Sequence, residues 1–229
     1  MQFADRKRLL DPSPLPLEMG YERLDTGVLH IAVRTDMPGC KGKMLDWWFG
    51  WFDNTQKYVW WHPTDHVSSS WDDAWSPGSY VGSTNIVKER MSTPEVHDVH
   101  IHFLDPADVF GADELARAKA EGKVSAIVVA QTGIGEEPFR DEQGRPCGAF
   151  LCHVVRDTEW GAVLRSHFWL GEGGPLDDPD ILAEVIPDEA GPGIVRHAYN
   201  EFTYLSHLLP SLYIAERRDI EAPRDPWPE

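Results

Sequence analysis

The chain has 229 residues, with 21 Lys and Arg against 38 Asp and Glu and a formal charge of −17. That length suits one sizeable core, and the charge repels nucleic acid phosphates and anionic membrane surfaces, which excludes a polyanionic partner. No run approaches the ~18 apolar residues of a membrane span, and the N-terminus lacks an apolar signal core. Cys40, Cys147 and Cys152 form no C-x-x-C pair and fit a reducing compartment as core thiols, so a cytoplasmic protein is expected.

In chain order, residues 1–26 read as an extended surface arm without chemistry, because Pro12, Pro14 and Pro16 interrupt any helical or strand period. Val28 to Val33 reads as a strand, ended by the turn at Met37-Pro38-Gly39, and a short helix follows from Met44 to about Trp51. Tyr58 to His62 reads as a strand or its exit loop, and residues 68–80 as a loop of functional length. Glu95 to Leu104 alternates Val96, Val99, Ile101 and Phe103 with His97, His100 and His102, as a strand does. Residues 113–121 predict a short helix stopped by Gly122, with acidic residues in its first turn.

Val124 to Ala130 is a β-branched strand run, and residues 147–156 and 161–170 predict a hairpin around Asp157 to Trp160. Ile194 to Leu209 is apolar enough to be a buried helix, halted by Pro210, and 216–229 reads as a C-terminal tail. Antiparallel strands with one long helix near the C-terminus predict a single α+β domain over 27–215, its curved sheet wrapping that helix. There is no G-x-G-x-x-G, P-loop or G-x-S-x-G pattern, which removes the common nucleotide and serine-hydrolase readings.

Seven of the ten tryptophans fall between Trp47 and Trp75, a density that points to an aromatic-lined ligand cavity. On the 194–209 helix, His197, Asn200 or Glu201, Tyr204 and Leu208 share a stripe, and the four-residue spacing lets His197 and Glu201 reach one ion. Such pairs also arise by chance on solvated helices, but here the surroundings are apolar and a buried carboxylate requires compensation. His62 and His66 are four apart as well, although Pro63 makes that segment a turn, so that they point differently and one of them is free to be structural. His100 and His102 share a strand face and form a competing cluster, or are simply half-buried strand residues. Glu89 is the candidate second carboxylate, with Glu95 as fallback, and His153 in its apolar strand is either a satisfied core histidine or a catalytic one. Imidazole and carboxylate without cysteine favour zinc with an open position, while iron or manganese also suits.

These residues resemble the 2,4-diacetylphloroglucinol hydrolase family, which includes phloretin-hydrolase-like enzymes. The resemblance runs from about Gly27 to Leu209. It is carried by residues 26–39, by Met-Leu-Asp-Trp-Trp-Phe-Gly-Trp at 44–51, and by Tyr58 with Trp-His-Pro-Thr-Asp-His at 61–66. His-Val-Val-Arg-Asp at 153–157, Arg-Ser-His-Phe-Trp-Leu-Gly at 165–171 and His-Ala-Tyr-Asn-Glu at 197–201 complete it. It implies a helix-grip, Bet v 1-like fold and a Zn2+ held by His66, Glu89, His197 and Glu201. Tyr58 and His153 would be catalytic, and Trp48, Trp61, Ser69, Phe168 and Tyr204 would line the substrate site. Ser69 stands where the family pattern leads one to expect asparagine, a departure that bears on which acyl arene fits.

The activity implied is that of a hydrolase acting on carbon–carbon bonds in ketonic substances, cutting between an acyl group and a phenolic ring. Tyr58 or His153 would help move a proton to the ring carbon while zinc polarises the acyl carbonyl and activates water. Two other readings compete: a non-catalytic hydrophobic-ligand carrier, and a cyclase, decarboxylase or non-heme iron oxygenase on the same scaffold. The partner expected is a small aromatic acyl compound, and clustered aromatic surface makes a homodimer an expectation too.

Overall fold

β-branched and alternating stretches along the chain build one antiparallel sheet, seen in the computed structural model, which describes residues 1–217. Its strands are β1 (Gly20–Arg23), β2 (Leu29–Pro38), β3 (His66–Trp71), β4 (Thr84–Glu89), β5 (His97–Leu104), β6 (Ala126–Ile134), β7 (Ala149–Thr158) and β8 (Gly161–Leu170). They lie in the order β1-β2-β8-β7-β6-β5-β4-β3. The helices are α1 (Gly42–Trp51), α2 (Thr55–Trp61), α3 (Pro106–Phe110), α4 (Ala112–Ala120), α5 (Pro179–Val185) and α6 (Ala190–Glu216).

The curved sheet grips α6. Phe202, Leu205 and Leu209 of that helix share one core with Val128, Ala130, Leu151, Val155 and Leu164 of the inner sheet face. On the outer face, Ile127, Val129, Cys152, Val154 and Trp169 are buried with Leu9, Leu10, Phe110 and Leu115. Because both faces are covered, β6 is buried almost throughout, which is why its sequence runs apolar without alternation. This is the α+β helix-grip arrangement expected, with α4, β5, β6 and the β7–β8 hairpin close to their predicted spans.

Several elements differ from expectation. The N-terminal segment is not wholly an extended arm: Phe3–Leu10 is a 3-10 helix that buries Leu9 and Leu10 on the outer sheet face. Arg165 holds the following turn through the carbonyls of Asp11, Pro12 and Ser13 and the carboxylate of Glu18, and β1 then adds an edge strand. Tyr58 to Trp61 is helical, because the Asn54 side chain caps α2 by accepting from the Lys57 N–H and Pro63 closes it, which outweighs the strand preference of the aromatic run. The 68–80 loop starts later, since His66–Trp71 pairs with Thr84–Glu89 as the other edge of the sheet.

Pro210 does not halt the last helix, which runs on to Glu216. A helix-interior proline costs about 3 kcal/mol and strands the carbonyl four residues earlier. Here the Cys40 thiol donates to that Ser206 carbonyl at 3.8 Å, and Leu209 and Tyr213 are buried, each large side chain contributing about 1.5–3 kcal/mol. The tail expected over 216–229 lies, from residue 218 onward, outside the described residues. No helix among the described residues is long and apolar enough to cross a membrane.

Candidate metal centre

Three segments converge where the β3–β4 edge meets α6. The turn after α2 delivers His62, Asp65 and His66. His66 is the cross-strand partner of Glu89, so their side chains stand side by side on the inner face. Helix α6 lays His197 and Glu201 over them, one turn apart on its buried face. His66, Glu89, His197 and Glu201 are each at most 6% exposed.

His66 Nε2 lies 3.8 Å from Glu89 Oε2 and 3.7 Å from Glu201 Oε2, and His197 Nε2 lies 3.6 Å from Glu89 Oε2. A tetrahedral ion with bonds of about 2.0–2.2 Å has donor–donor edges of about 3.4 Å, close to these three separations. His66, His197 and Glu201 form one of two groups among the described residues that could hold a metal.

Each imidazole is also held by its other nitrogen. His66 Nδ1 donates to the Tyr58 carbonyl at 2.8 Å, which leaves Nε2 as a lone pair facing the carboxylates. His197 Nδ1 donates to Asp65 Oδ2 at 3.0 Å, so Nε2 is the nitrogen that faces Glu89 and becomes a donor once it gives up its proton. Metal-ligating histidines are oriented in this way.

The electrostatics point to the same place. Burial, aided by the charge on His197, drives the His66 pKa well below its ordinary value, keeping the ring neutral. Burial opposes the imidazolium of His197, but the bond to Asp65 and the charges of Glu89 and Glu201 outweigh it and push its pKa up to about 9. Burial, with the neighbouring Glu89 and Asp65 charges, pushes the Glu201 carboxyl up to about 8 against the opposing pull of His197. Buried carboxylates at this density call for a cation. Tyr58 stacks on His66 at 3.7 Å and donates to Glu89 Oε2 at 2.6 Å, and burial with the Glu89 charge holds its phenol protonated.

The second group is His62, Asp65 and His197, whose donors largely engage one another and Ser92. The Asp65 N–H donates to His62 Nδ1 at 3.1 Å, and Asp65 Oδ2 already accepts from His197 and from Ser92. Burial and the His197 charge push His62 down to about 4. Its ring stacks on His197 at 5.0 Å.

Other expected residues fall at varied distances from this centre. Trp61 sets its ring edge-on to His66 at 5.2 Å and to Phe202 at 5.5 Å. Trp48 lies behind Trp61 at 6.2 Å and is 0% exposed, so much of the tryptophan block is core rather than cavity wall. The indole N–H groups of both have no protein partner. His153 packs on Phe202 at 4.8 Å and Phe168 at 5.8 Å, with Nδ1 2.8 Å from Ser166 Oγ, and burial pushes its pKa down to about 3. Ser69 is buried and accepts from the Asn85 amide at 2.9 Å, so an asparagine side chain does reach this position, from β4. Tyr204 is 38% exposed and touches the His62 ring. His100 and His102 share the face away from the centre, with His102 Nδ1 at 3.0 Å from Thr84 Oγ1, and belong to neither candidate group. Sequence reading missed Asp65, Ser92, Asn85 and Ser166; only Asp65, as the neighbour of His66, carried a local signal.

Residues 1–214 match the DAPG hydrolase PhiG domain. The phloretin hydrolase of Eubacterium ramulus is 29% identical over 220 residues, covering 87% of this chain and 72% of that protein. Among solved structures, protein Ms6760 from Mycobacterium smegmatis aligns with 84% of this chain and 97% of its own at 12% identity and a TM-score of 0.47. Norcoclaurine synthase from Thalictrum flavum aligns over 84% and 97% at 10% identity and a TM-score of 0.43. Likenesses that loose speak to neither activity nor ligand. The match over nearly the whole chain decides the matter: this chain belongs to the DAPG hydrolase PhiG-domain family, a family of hydrolases.

Proposed function

We propose that the chain is a zinc-dependent hydrolase that cuts the carbon–carbon bond between an acyl group and a phenolic ring, giving a carboxylic acid and the deacylated phenol. The observation that carries this is the quartet of buried donors, His66, Glu89, His197 and Glu201, with both histidines held by Nδ1 so that Nε2 faces inward. A Zn2+ held by these four would supply Lewis acidity, polarising the acyl carbonyl and making water acidic enough to yield hydroxide near neutral pH.

The chain's own residues do the rest. Net hydrolysis requires one proton at the ring carbon that loses the acyl group. Tyr58 is its donor: burial and the Glu89 charge hold the phenol protonated, and its hydrogen bond to Glu89 fixes Oη beside the metal donors, the bond it exchanges for the ring carbon when the proton moves. His153, neutral and fixed through Nδ1 to Ser166, offers Nε2 to a ring hydroxyl. Trp61, Phe168 and Phe202 confine the aromatic ring and keep bulk water from it.

The test is to incubate the protein with phloretin and with 2,4-diacetylphloroglucinol in H2(18)O and analyse the products by mass spectrometry. One labelled oxygen in the released carboxylic acid supports hydrolysis. Label arriving only from (18)O2 would move the chemistry to an oxygenase, and recovery of unchanged acyl phenol across a range of such compounds would favour a carrier.

A further inference from the structure

We infer that Asp65 is the positioning residue of this centre, tying together the three segments that bear its donors; the inference rests on the metal-centre reading above. Asp65 directly precedes His66. Its Oδ2 accepts from His197 Nδ1 at 3.0 Å, from the Ser92 N–H at 2.8 Å and from Ser92 Oγ at 3.0 Å. Its backbone carbonyl accepts from the Arg90 N–H at 3.0 Å, one residue past Glu89. Its own N–H fixes His62, whose ring stacks on His197. One aspartate thus sets the ring orientation and tautomer of His197, and it pins the end of β4, which carries Glu89, to the start of β3, which carries His66.

The turn it pins would not hold this shape alone. Met91 and Ser92 have φ of 28° and 57°, a region unfavourable to residues with a Cβ. Both Ser92 donors are spent on Asp65. The Met91 carbonyl abuts α6 at Gly193, where an added Cβ would come within 2.7 Å of it, one helical turn before His197. Strain held in place beside a donor set is characteristic of a site whose geometry matters.

The experiment compares wild type, Asp65→Asn and Asp65→Ala for zinc affinity by chelator competition. The visible spectrum of the Co2+-substituted proteins reports donor geometry, and circular dichroism reports the fold. We expect folded variants with zinc affinity about 10–100-fold weaker, an altered Co2+ spectrum, and a fall in kcat larger than any change in KM. Zinc affinity within 2-fold of wild type and an unchanged Co2+ spectrum would overturn the inference. Should both variants fail to fold, Ser92→Ala decides: an affinity loss of at least 2-fold sustains the assignment and an unchanged affinity overturns it. A wild-type chain that takes up no zinc overturns this inference and its parent together, whereas tight wild-type uptake with unchanged variants overturns this one alone.

Discussion

Metal uptake by this chain should be strongly linked to protons, and pH is the perturbation that exposes it. In the metal-free protein His197 keeps its proton up to about pH 9 and Glu201 up to about pH 8. Both groups are therefore protonated at pH 7, and both must lose a proton to become donors. Binding at pH 7 should release close to two protons. Affinity at pH 7 should therefore lie well below its plateau above pH 9, each pKa unit to be overcome weakening it about tenfold, or about 1.36 kcal/mol. Isothermal titration of Zn2+ in two buffers of different ionisation enthalpy measures the proton count. Chelator competition at pH 6.5, 7.5 and 8.5 measures the slope. Stability of the metal-free protein should run the other way. Both groups have folded pKa values above their unfolded ones, so their contribution is fully present at low pH and is lost progressively, from 4.5 up to about 8 for Glu201 and from 6.5 up to about 9 for His197. A zinc affinity flat between pH 6.5 and 8.5, with less than one proton released, would refute the reasoning that these two side chains are ligands.

Other consequences follow from single side chains. Glu201→Gln should weaken zinc binding at least 100-fold, because an amide cannot ionise to the anionic donor, while leaving the metal-free fold intact, because there it replaces a carboxyl that is already neutral at pH 7; circular dichroism with chelator competition checks both halves. Tyr58→Phe should lower kcat by about 10²–10⁴ and destabilise by about 1–2 kcal/mol through the lost bond to Glu89, with zinc still bound; turnover and urea unfolding of the loaded protein would show it. Cys40→Ala should destabilise more in the native background than beside Pro210→Ala, where a helix N–H can again reach the Ser206 carbonyl. A double-mutant cycle should give a coupling of about 1 kcal/mol, and perfect additivity would contradict the role given to the thiol.

Some of this was legible along the chain and some was not, for physical reasons. His197 and Glu201 could be read because helical spacing alone puts them together. β6 and the β7–β8 hairpin could be read because β-branched runs and one tight turn are local signals. The strand edge that carries His66 and Glu89 was harder. β3 is serine-rich and buries only part of its length, so His66–Trp71 lacked the alternation of a two-sided strand. Tyr58 to Trp61 misled because bulky aromatics favour strands, while the deciding feature was a single capping amide at Asn54. The continuation of α6 past Pro210 rested on the burial of Leu209 and Tyr213, with a contribution from a thiol 166 residues away in sequence. Asp65 stands next to His66, but its role depended on a contact 132 residues away, which that neighbourhood does not encode. The tryptophans were conspicuous, but composition does not separate a ring that faces a ligand from one that backs another ring, and Trp48 proved to be the second kind.

The central claim is a single protein-held zinc ion, and elemental analysis by plasma mass spectrometry tests it most directly, on untagged wild-type chain and Glu201→Gln purified without added metal. The account predicts about one zinc per wild-type chain and far less in the variant. A stoichiometric amount of iron in place of zinc, or a wild-type chain that stays metal-free when zinc is supplied, would contradict it.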